Sequence, residues 1–445
     1  MVELDRYDAL DLDTYRRIVL GGEQIFVDER LLEHVERRRE ALLRHLETGV
    51  SAYGVTTGLG YLASETIGEE DQASLQRSLL TARASGLGPP LQRDVVRGAM
   101  LLRLVGFLSG FPGASSALCR FLADRLNEGW SPIVPSGPYG ASGEIAPLAH
   151  LFQTFIGEGL VELAGKRLPA QEALERSGVK AYEPGPKEGV ALLNGSPFAT
   201  ALGVHLGDLG GRLLEQATVA AALAVALVDA SARPFSSRVL SLAGDVAAQR
   251  IGRQLLELLG GQAQWDNPAQ PPVSFRVAPQ VHGALLRALD ELTRTMETRL
   301  HAVTDSPLLL DSKAGEPEGL YAAGGFHAID VTLRLEAVAV ATAQVTNLVE
   351  KRLHRLLDAR FSGLPEQLAR RPGVQAGAVS LHKAVVGLTA ENRLLAAPAS
   401  VHTLDTSTGQ EDVQAFTFLA AERLGAMLDN LESALACELV ALRQA

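Results

Sequence analysis

Cysteine is scarce in this chain of 445 residues: only Cys119 and Cys437 occur. They cannot build a disulfide framework and lack zinc-type spacing, so both are expected to be reduced, buried core residues. A basic cluster is also missing, and the net charge is −11. Without a Lys/Arg patch to meet phosphates, no nucleic-acid partner is expected, and small molecules or proteins are the better candidates. The longest near-uniform apolar run, Ala217 to Val228, is too short to cross a bilayer and stops at Asp229, so it reads as a core helix and no membrane partner is expected. The opening Met1 to Asp8 is acidic and has no apolar h-region, which predicts no secretory signal and a cytoplasmic protein. The ten histidines are scattered, and no pair has helix-borne metal spacing. No metal site is therefore expected, and the histidines are read as structural, with His327 the exception to watch.

What the chain does have is apolar bulk, 47% hydrophobic against 21% charged residues, enough for a large core. Strand signals are sparse. Apolar residues recur at three-to-four spacing over 28–48, 91–128, 144–161, 199–231, 240–260, 280–304, 331–361 and 412–443, which predicts a mostly α protein. The stretch 331–361 is small, apolar and nearly uncharged until Glu350, so most faces of that helix should meet other helices in a bundle that subunits could share. Gly/Pro-rich breaks at 54–60, 86–90, 134–143, 184–189, 194–197, 263–279, 322–325 and 396–410 carry nearly all the polar residues of interest. No linker or repeat cuts the chain. An N-terminal active-site region (1–200) is expected to run without interruption into a long-helix region (201–445).

The most informative break is residues 139–150, Tyr-Gly-Ala-Ser-Gly-Glu-Ile-Ala-Pro-Leu-Ala-His. If the Gly143 nitrogen attacks the Ala141 carbonyl carbon, a five-membered ring closes. Loss of two waters, one from Ser142, then leaves 4-methylideneimidazole-5-one, an electrophile made without any added cofactor. Ala141 is small, Gly143 lets the backbone bend, and Ser142 supplies the leaving hydroxyl. A lone Ala-Ser-Gly would otherwise read as a turn before a helix starting near Glu144. A nucleophilic serine fits poorly, because Gly140 stands at minus two but Glu144 occupies plus two, where a hydrolase elbow needs glycine.

Separate segments along the chain resemble the aromatic amino acid ammonia-lyases, the family of histidine, phenylalanine and tyrosine ammonia-lyases and related 2,3-aminomutases. The anchors are Tyr53-Gly-Val-Thr-Thr-Gly-Leu-Gly60, Leu75-Gln-Arg-Ser-Leu79, the stretch around Ser142, and Lys187-Glu-Gly-Val-Ala-Leu-Leu-Asn-Gly195. Further on come Ser274-Phe-Arg-Val-Ala-Pro-Gln-Val281, Gly324-Gly-Phe-His327, and Pro398-Ala-Ser-Val401 leading to Gln410-Glu-Asp412. The resemblance implies an almost all-helical homotetramer of the ammonia-lyase/fumarase-like type, with each site drawn from three chains. It also implies an amino acid substrate, the methylidene prosthetic group, and no metal or nucleotide.

By the same resemblance Tyr53 is the base for the substrate β-proton, and Arg276 is the planar fork that holds the carboxylate. Asn194 touches substrate and ring, Phe326 packs beside the ring, and Gln410 with Glu411 flanks the amine. Gln270 joins the substrate-binding set. The helix after Gly143 is expected to aim its positive end at the ring.

The chain departs from the family at several places. Val273 stands where members carry a tyrosine, Gly325 and Gly409 where they carry asparagines, Glu144 where they carry aspartate, and Pro197 where histidine-type members have glutamine. The pair that reads the substrate is Ala82-Arg83, unlike the Ser-His, His-Leu or Phe-Leu of the known types. Arg83 predicts a substrate with an acidic or strongly accepting β-substituent, unless a protein carboxylate pairs with it. Three readings fit these residues: an ammonia-lyase, a 2,3-aminomutase on the same side chains, and a degenerate member serving as a binding or assembly protein.

Overall fold

Helices account for most of the chain, as the periodicity predicts. The computed structural model describes residues 1–140 and 142–445; Ala141, the first residue of the tripeptide, lies outside the described residues. The fold divides into two units. One comprises Met1–His205, Thr295–Thr332 and Ser400–Leu419, the other Leu206–Arg294, Leu333–Ala399 and Ala420–Ala445.

In the first unit, helix starts follow local capping chemistry. Asp28 accepts from the Arg30 N–H at 2.7 Å before the helix Glu29–Glu47, and Ser115 Oγ accepts from Leu118 N–H at 3.1 Å before Ser116–Asn127. Each such cap contributes about 1 kcal/mol. The helix Arg93–Leu108 is buried from Val95 to Leu108, as expected of a helix that is apolar on nearly every face. Its Arg97 spends its guanidinium on the Leu126 and Ile18 carbonyls at 3.1 and 3.3 Å. The strands among the described residues all belong to this unit. They are a parallel pair Val2–Leu4/Ile25–Val27, an antiparallel sheet of Ser131–Pro132, Leu160–Leu163 and Lys166–Pro169, and a hairpin Leu308–Leu310/Gly319–Tyr321.

Three helices of this unit carry candidate site residues at or beside their ends. Glu69–Ala82 packs on Glu188–Leu193, and Ile145–Phe152 packs on both. At the first crossing a Cβ on Gly189 would run into the main chain of Gln76, so the close approach requires glycine. Glu69–Ala82 ends at Arg83, Glu188–Leu193 ends at Asn194, and Ile145–Phe152 begins two residues beyond Gly143.

The second unit is built from long helices whose interior polar groups meet one another. Arg352 Nε and Nη2 hold both Glu438 oxygens at 2.8 and 2.9 Å, and both side chains are fully buried. Asn392 donates to Thr346 Oγ1 and to the Met427 carbonyl, and it accepts from Asn430. Thr218 Oγ1 lies 3.0 Å from the buried His282 Nδ1. Both cysteines are free; Cys119 is buried as expected, but Cys437 is only partly so, because its position on Thr417–Gln444 faces outward. No helix among the described residues is long and apolar enough to cross a membrane.

Candidate active site

Ser142 and Gly143 line a narrow cleft together with Tyr139, Glu144, Phe326, Ala328 and residues 415–418. Tyr139 donates to the Pro135 carbonyl at 2.6 Å and stands edge-on to Phe418, centroids 4.9 Å apart, which fixes the loop ahead of the tripeptide. Ser142 Oγ donates to the Val413 carbonyl at 2.9 Å. Phe326 packs beside Gly143, where an added Cβ would lie 3.4 Å from its ring.

Glu144 is the buried carboxyl of this cleft. Its two oxygens accept from Phe198 N–H at 2.7 Å and Ala199 N–H at 2.6 Å, in the first turn of the helix Pro197–Leu227. Burial pushes its carboxyl up to about 8, against the pull of those hydrogen bonds and of the Arg299 and Arg103 charges. From the sequence, Glu144 is visible only as a departure from the family. Its position directly after the tripeptide is the signal that could have marked it.

Tyr53 sits in the loop before Glu69–Ala82, and its hydroxyl oxygen accepts from Gly60 N–H at 2.8 Å. Gln76 ties that loop to the neighbouring helix: Nε2 donates to the Gly54 carbonyl at 2.8 Å, and Oε1 accepts from Val190 N–H at 3.3 Å. Gln76 belongs to the Leu75–Leu79 anchor, for which the sequence offers no role. Residues 60–62 pack against the turn 407–409. There Glu411 Oε2 accepts from Thr406 Oγ1 at 2.8 Å, while Gln414 donates to Thr406 Oγ1 and to the Glu411 carbonyl. Gln410 is exposed beside them.

Asn194 terminates its helix, donates to the Ser306 carbonyl at 2.6 Å and accepts from Gly195 N–H at 3.0 Å; Gly195 takes a φ of +119°. A buried ion cluster backs this contact. Asp305 lies 3.2 Å from Arg103 and 3.7 Å from Lys187, all three shielded from solvent, and its Oδ1 accepts from Ser306 N–H at 2.7 Å. Arg103 also donates to the Ala191 carbonyl, and Lys187 donates to that of Pro112 at 2.7 Å. Burial holds the Lys187 ammonium and the Arg103 guanidinium below their ordinary ranges, with Asp305 acting in the opposite direction. Gly325 is tightly placed: a Cβ there would be 3.2 Å from Thr304 Cα and 3.3 Å from the Val303 oxygen, so this backbone leaves little room for asparagine. His327 Nε2 is buried without a hydrogen-bond partner among the described residues.

Arg83 is half-buried, and no carboxylate among the described residues pairs with it. Burial lowers its pKa, and the Tyr53 phenol is the group whose charge acts on it in the other direction. Thus Tyr53, Arg83, Ser142, Gly143, Asn194, Phe326, Gln410 and Glu411 all fall in the first unit. Gln270 and Arg276 fall in the second, where Gln270, its amide oriented by its surroundings, accepts from both Arg276 Nη atoms. Val273, at the family's tyrosine position, is exposed there.

The sequence pattern described as aromatic amino acid lyase matches residues 10–445. Histidine ammonia-lyase of Geobacillus thermodenitrificans is 34% identical over 443 residues, covering 98% of this chain and 87% of that protein. Among solved structures, the tyrosine aminomutase of Streptomyces globisporus superposes with a TM-score of 0.91 at 26% identity, over 99% of this chain and 87% of that one. The histidine ammonia-lyase of Trypanosoma cruzi gives 0.89 at 25% identity, over 100% and 84%.

Proposed function

Because the chain belongs to the aromatic amino acid lyase family and is thereby a carbon–nitrogen lyase, we propose that it eliminates ammonia from an L-amino acid to leave an α,β-unsaturated acid, using an electrophile made from its own Ala141-Ser142-Gly143 backbone. The observation that carries this reading is the cleft in which Ser142 and Gly143 lie against Phe326.

The residues present fit such a ring. Gly143 offers no side chain toward Phe326, the Ser142 hydroxyl is bonded to one carbonyl and to nothing charged, and Glu144 lies buried beside them. When formed, the ring supplies an electrophilic methylidene carbon that turns a poor amine leaving group into a good one.

The chain's own side chains would do the rest. As the phenolate, Tyr53 would take the β-proton and become the neutral phenol, its oxygen held in direction by the hydrogen bond from Gly60 N–H at 2.8 Å. The Arg276 fork would hold the substrate carboxylate bidentately, with Gln270 steadying it. Asn194, clamped through Ser306, would present its amide to substrate, and Glu411, oriented by Thr406, would face the amine. The half-buried Arg83, without a carboxylate partner among the described residues, supports a substrate whose β-substituent carries an acidic or accepting group. A cytoplasmic homotetramer whose sites draw on three chains is part of the reading. Exposed Val219, Leu223 and Leu227, one helical turn apart, support burial of that face against other copies.

A 2,3-aminomutase is the second reading, favoured by the likeness to the tyrosine aminomutase. A β-amino acid rather than an acrylate among the products decides for it. The first experiment is the mass of the peptide spanning Ala141-Ser142-Gly143. A loss of two waters, about 36 Da, supports the lyase and justifies screening amino acids for ammonia release, acidic side chains first. An unmodified peptide from folded protein overturns the reading in favour of a binding or assembly protein. Arg83→Leu should abolish turnover of an acidic substrate without unfolding the chain, and unchanged kinetics would remove Arg83 from substrate selection.

A further inference from the structure

The second unit holds a side-chain cluster that the lyase reading does not use. Glu350 and His354 lie one turn apart on the helix Ile329–Leu356, a spacing that puts a carboxylate and an imidazole on the same face. His382, on the helix Val379–Leu395, completes the group. One donor atom from each of the three lies within 4.8 Å of the others. Glu350 Oε1 is 2.8 Å from His382 Nε2, and the imidazoles of His354 and His382 are stacked, centroids 4.7 Å apart with their planes inclined by 17°.

The burial is graded. Glu350 is buried, His382 partly buried and His354 exposed, so the carboxylate forms the floor of a bowl and the rings its wall toward solvent. Packing alone has little use for this arrangement: His354 is stacked on another imidazole and makes no hydrogen bond among the described residues. The charged neighbours are Lys351, whose Nζ sits 2.7 Å from Glu350 Oε2 on a largely exposed side chain, and Arg355. Arg352 is taken up by Glu438.

We propose that Glu350, His354 and His382 bind a first-row divalent transition-metal ion through one carboxylate oxygen and two imidazole nitrogens. Two histidines and a carboxylate from facing helices are the donor set that suits zinc and its neighbours, with a further position left for solvent. Ligands about 2.1 Å from a tetrahedral ion stand about 3.4 Å apart. Glu350 Oε1 and His382 Nε2, at 2.8 Å, stand closer than that, and all three donors lie within 4.8 Å of one another. Closure therefore needs rotation of the exposed His354 ring and a small parting of His382 from Glu350. The ion takes the place of the proton between His382 Nε2 and Glu350 Oε1. The ring then carries its proton on Nδ1, and Lys351 swings to solvent. The bound ion ties the two helices together.

The test uses the full-length protein stripped with chelator and dialysed, titrated with Zn²⁺ by calorimetry, with bound metal counted by elemental analysis and Co²⁺ used as a spectroscopic substitute. The expected result is one ion per chain, a visible ligand-field band with Co²⁺, and a rise in the thermal midpoint with Zn²⁺. His354→Ala should weaken binding at least about 100-fold and remove both the band and the rise. Since His354 is exposed, that variant should keep the metal-free midpoint, and His382→Gln provides the second loss. No binding by the wild type, or equal binding by wild type and the His354→Ala/His382→Gln double variant, overturns the proposal. None of these readouts depends on ammonia release or on the tripeptide.

Discussion

The two units spend their buried polar groups differently. In the first, charged side chains reach for backbone. Arg39 holds the Gly113 and Pro186 carbonyls, Lys187 that of Pro112, and Glu188 the Ser115 and Gly185 N–H groups, while Glu144 takes two N–H groups of one helix start. In the second, side chains meet side chains across helices: Arg352 with Glu438, Asn392 with Thr346 and Asn430, Thr218 with His282. The reason is geometric. The candidate active-site residues lie on loops and helix ends, whose backbone groups have no ladder to satisfy them and must be pinned from the side. A helix bundle satisfies its own backbone, so polar groups between its helices serve to set register.

The largest effect should come from the buried ion cluster of the first unit, where charged side chains meet one another as well as backbone. Asp305→Ala strands Arg103 and Lys187 without their counter-charge and releases Ser306, which holds Asn194. It should cost about 3–5 kcal/mol in denaturant unfolding. In the second unit Glu438→Ala should cost about 3 kcal/mol, but Arg352→Met with Glu438→Leu should stay within about 1 kcal/mol of wild type. If that double variant is as unstable as the single one, the pair does more than set register. Gln76→Ala removes two bonds to main chain, at Gly54 and Val190, and should cost about 1–3 kcal/mol. It should also lower kcat more than it raises KM, because Tyr53 is displaced while the carboxylate-binding groups remain.

Titration gives effects of opposite sign in the two units. Glu144 is raised from 4.5 to about 8, so the folded chain binds the extra proton. Stability from this group is complete below pH 4.5 and is lost as pH rises toward 8, by up to about 1.4 kcal/mol per unit. His282 is lowered from 6.5 to about 3 by burial and then by the Arg352 charge, so the unfolded chain binds the extra proton. Stability from this group is complete above pH 6.5 and is lost as pH falls toward 3. Thermal midpoints across pH 4–9 should flatten on the alkaline side in Glu144→Gln and on the acid side in His282→Gln. Unchanged slopes would remove these groups from the account.

The long helices were legible because apolar periodicity reports a buried face. The helices Glu69–Ala82 and Val379–Leu395 fall outside that reading, since their buried residues are few and partly polar: Gln76, Leu79 and Leu80 in one, Val385, Thr389 and Asn392 in the other. The same blindness hid Gln76 and the Glu350–His354–His382 cluster. A search for paired histidines along one helix cannot see a pair divided between two helices and joined by a glutamate.

By itself the sequence determined the helical class, the family anchors and the tripeptide with its latent electrophile, because each is a matter of residue type at short spacing. Only the tertiary structure decided that Asn194 is clamped through Ser306 over a buried Arg103–Asp305–Lys187 cluster, that Glu144 caps a helix at residues 198–199, and that Arg83 is left without a carboxylate partner among the described residues. Those outcomes depend on which distant backbone groups come within hydrogen-bonding reach and how much water is removed around them. Neither quantity is a property of local residue order.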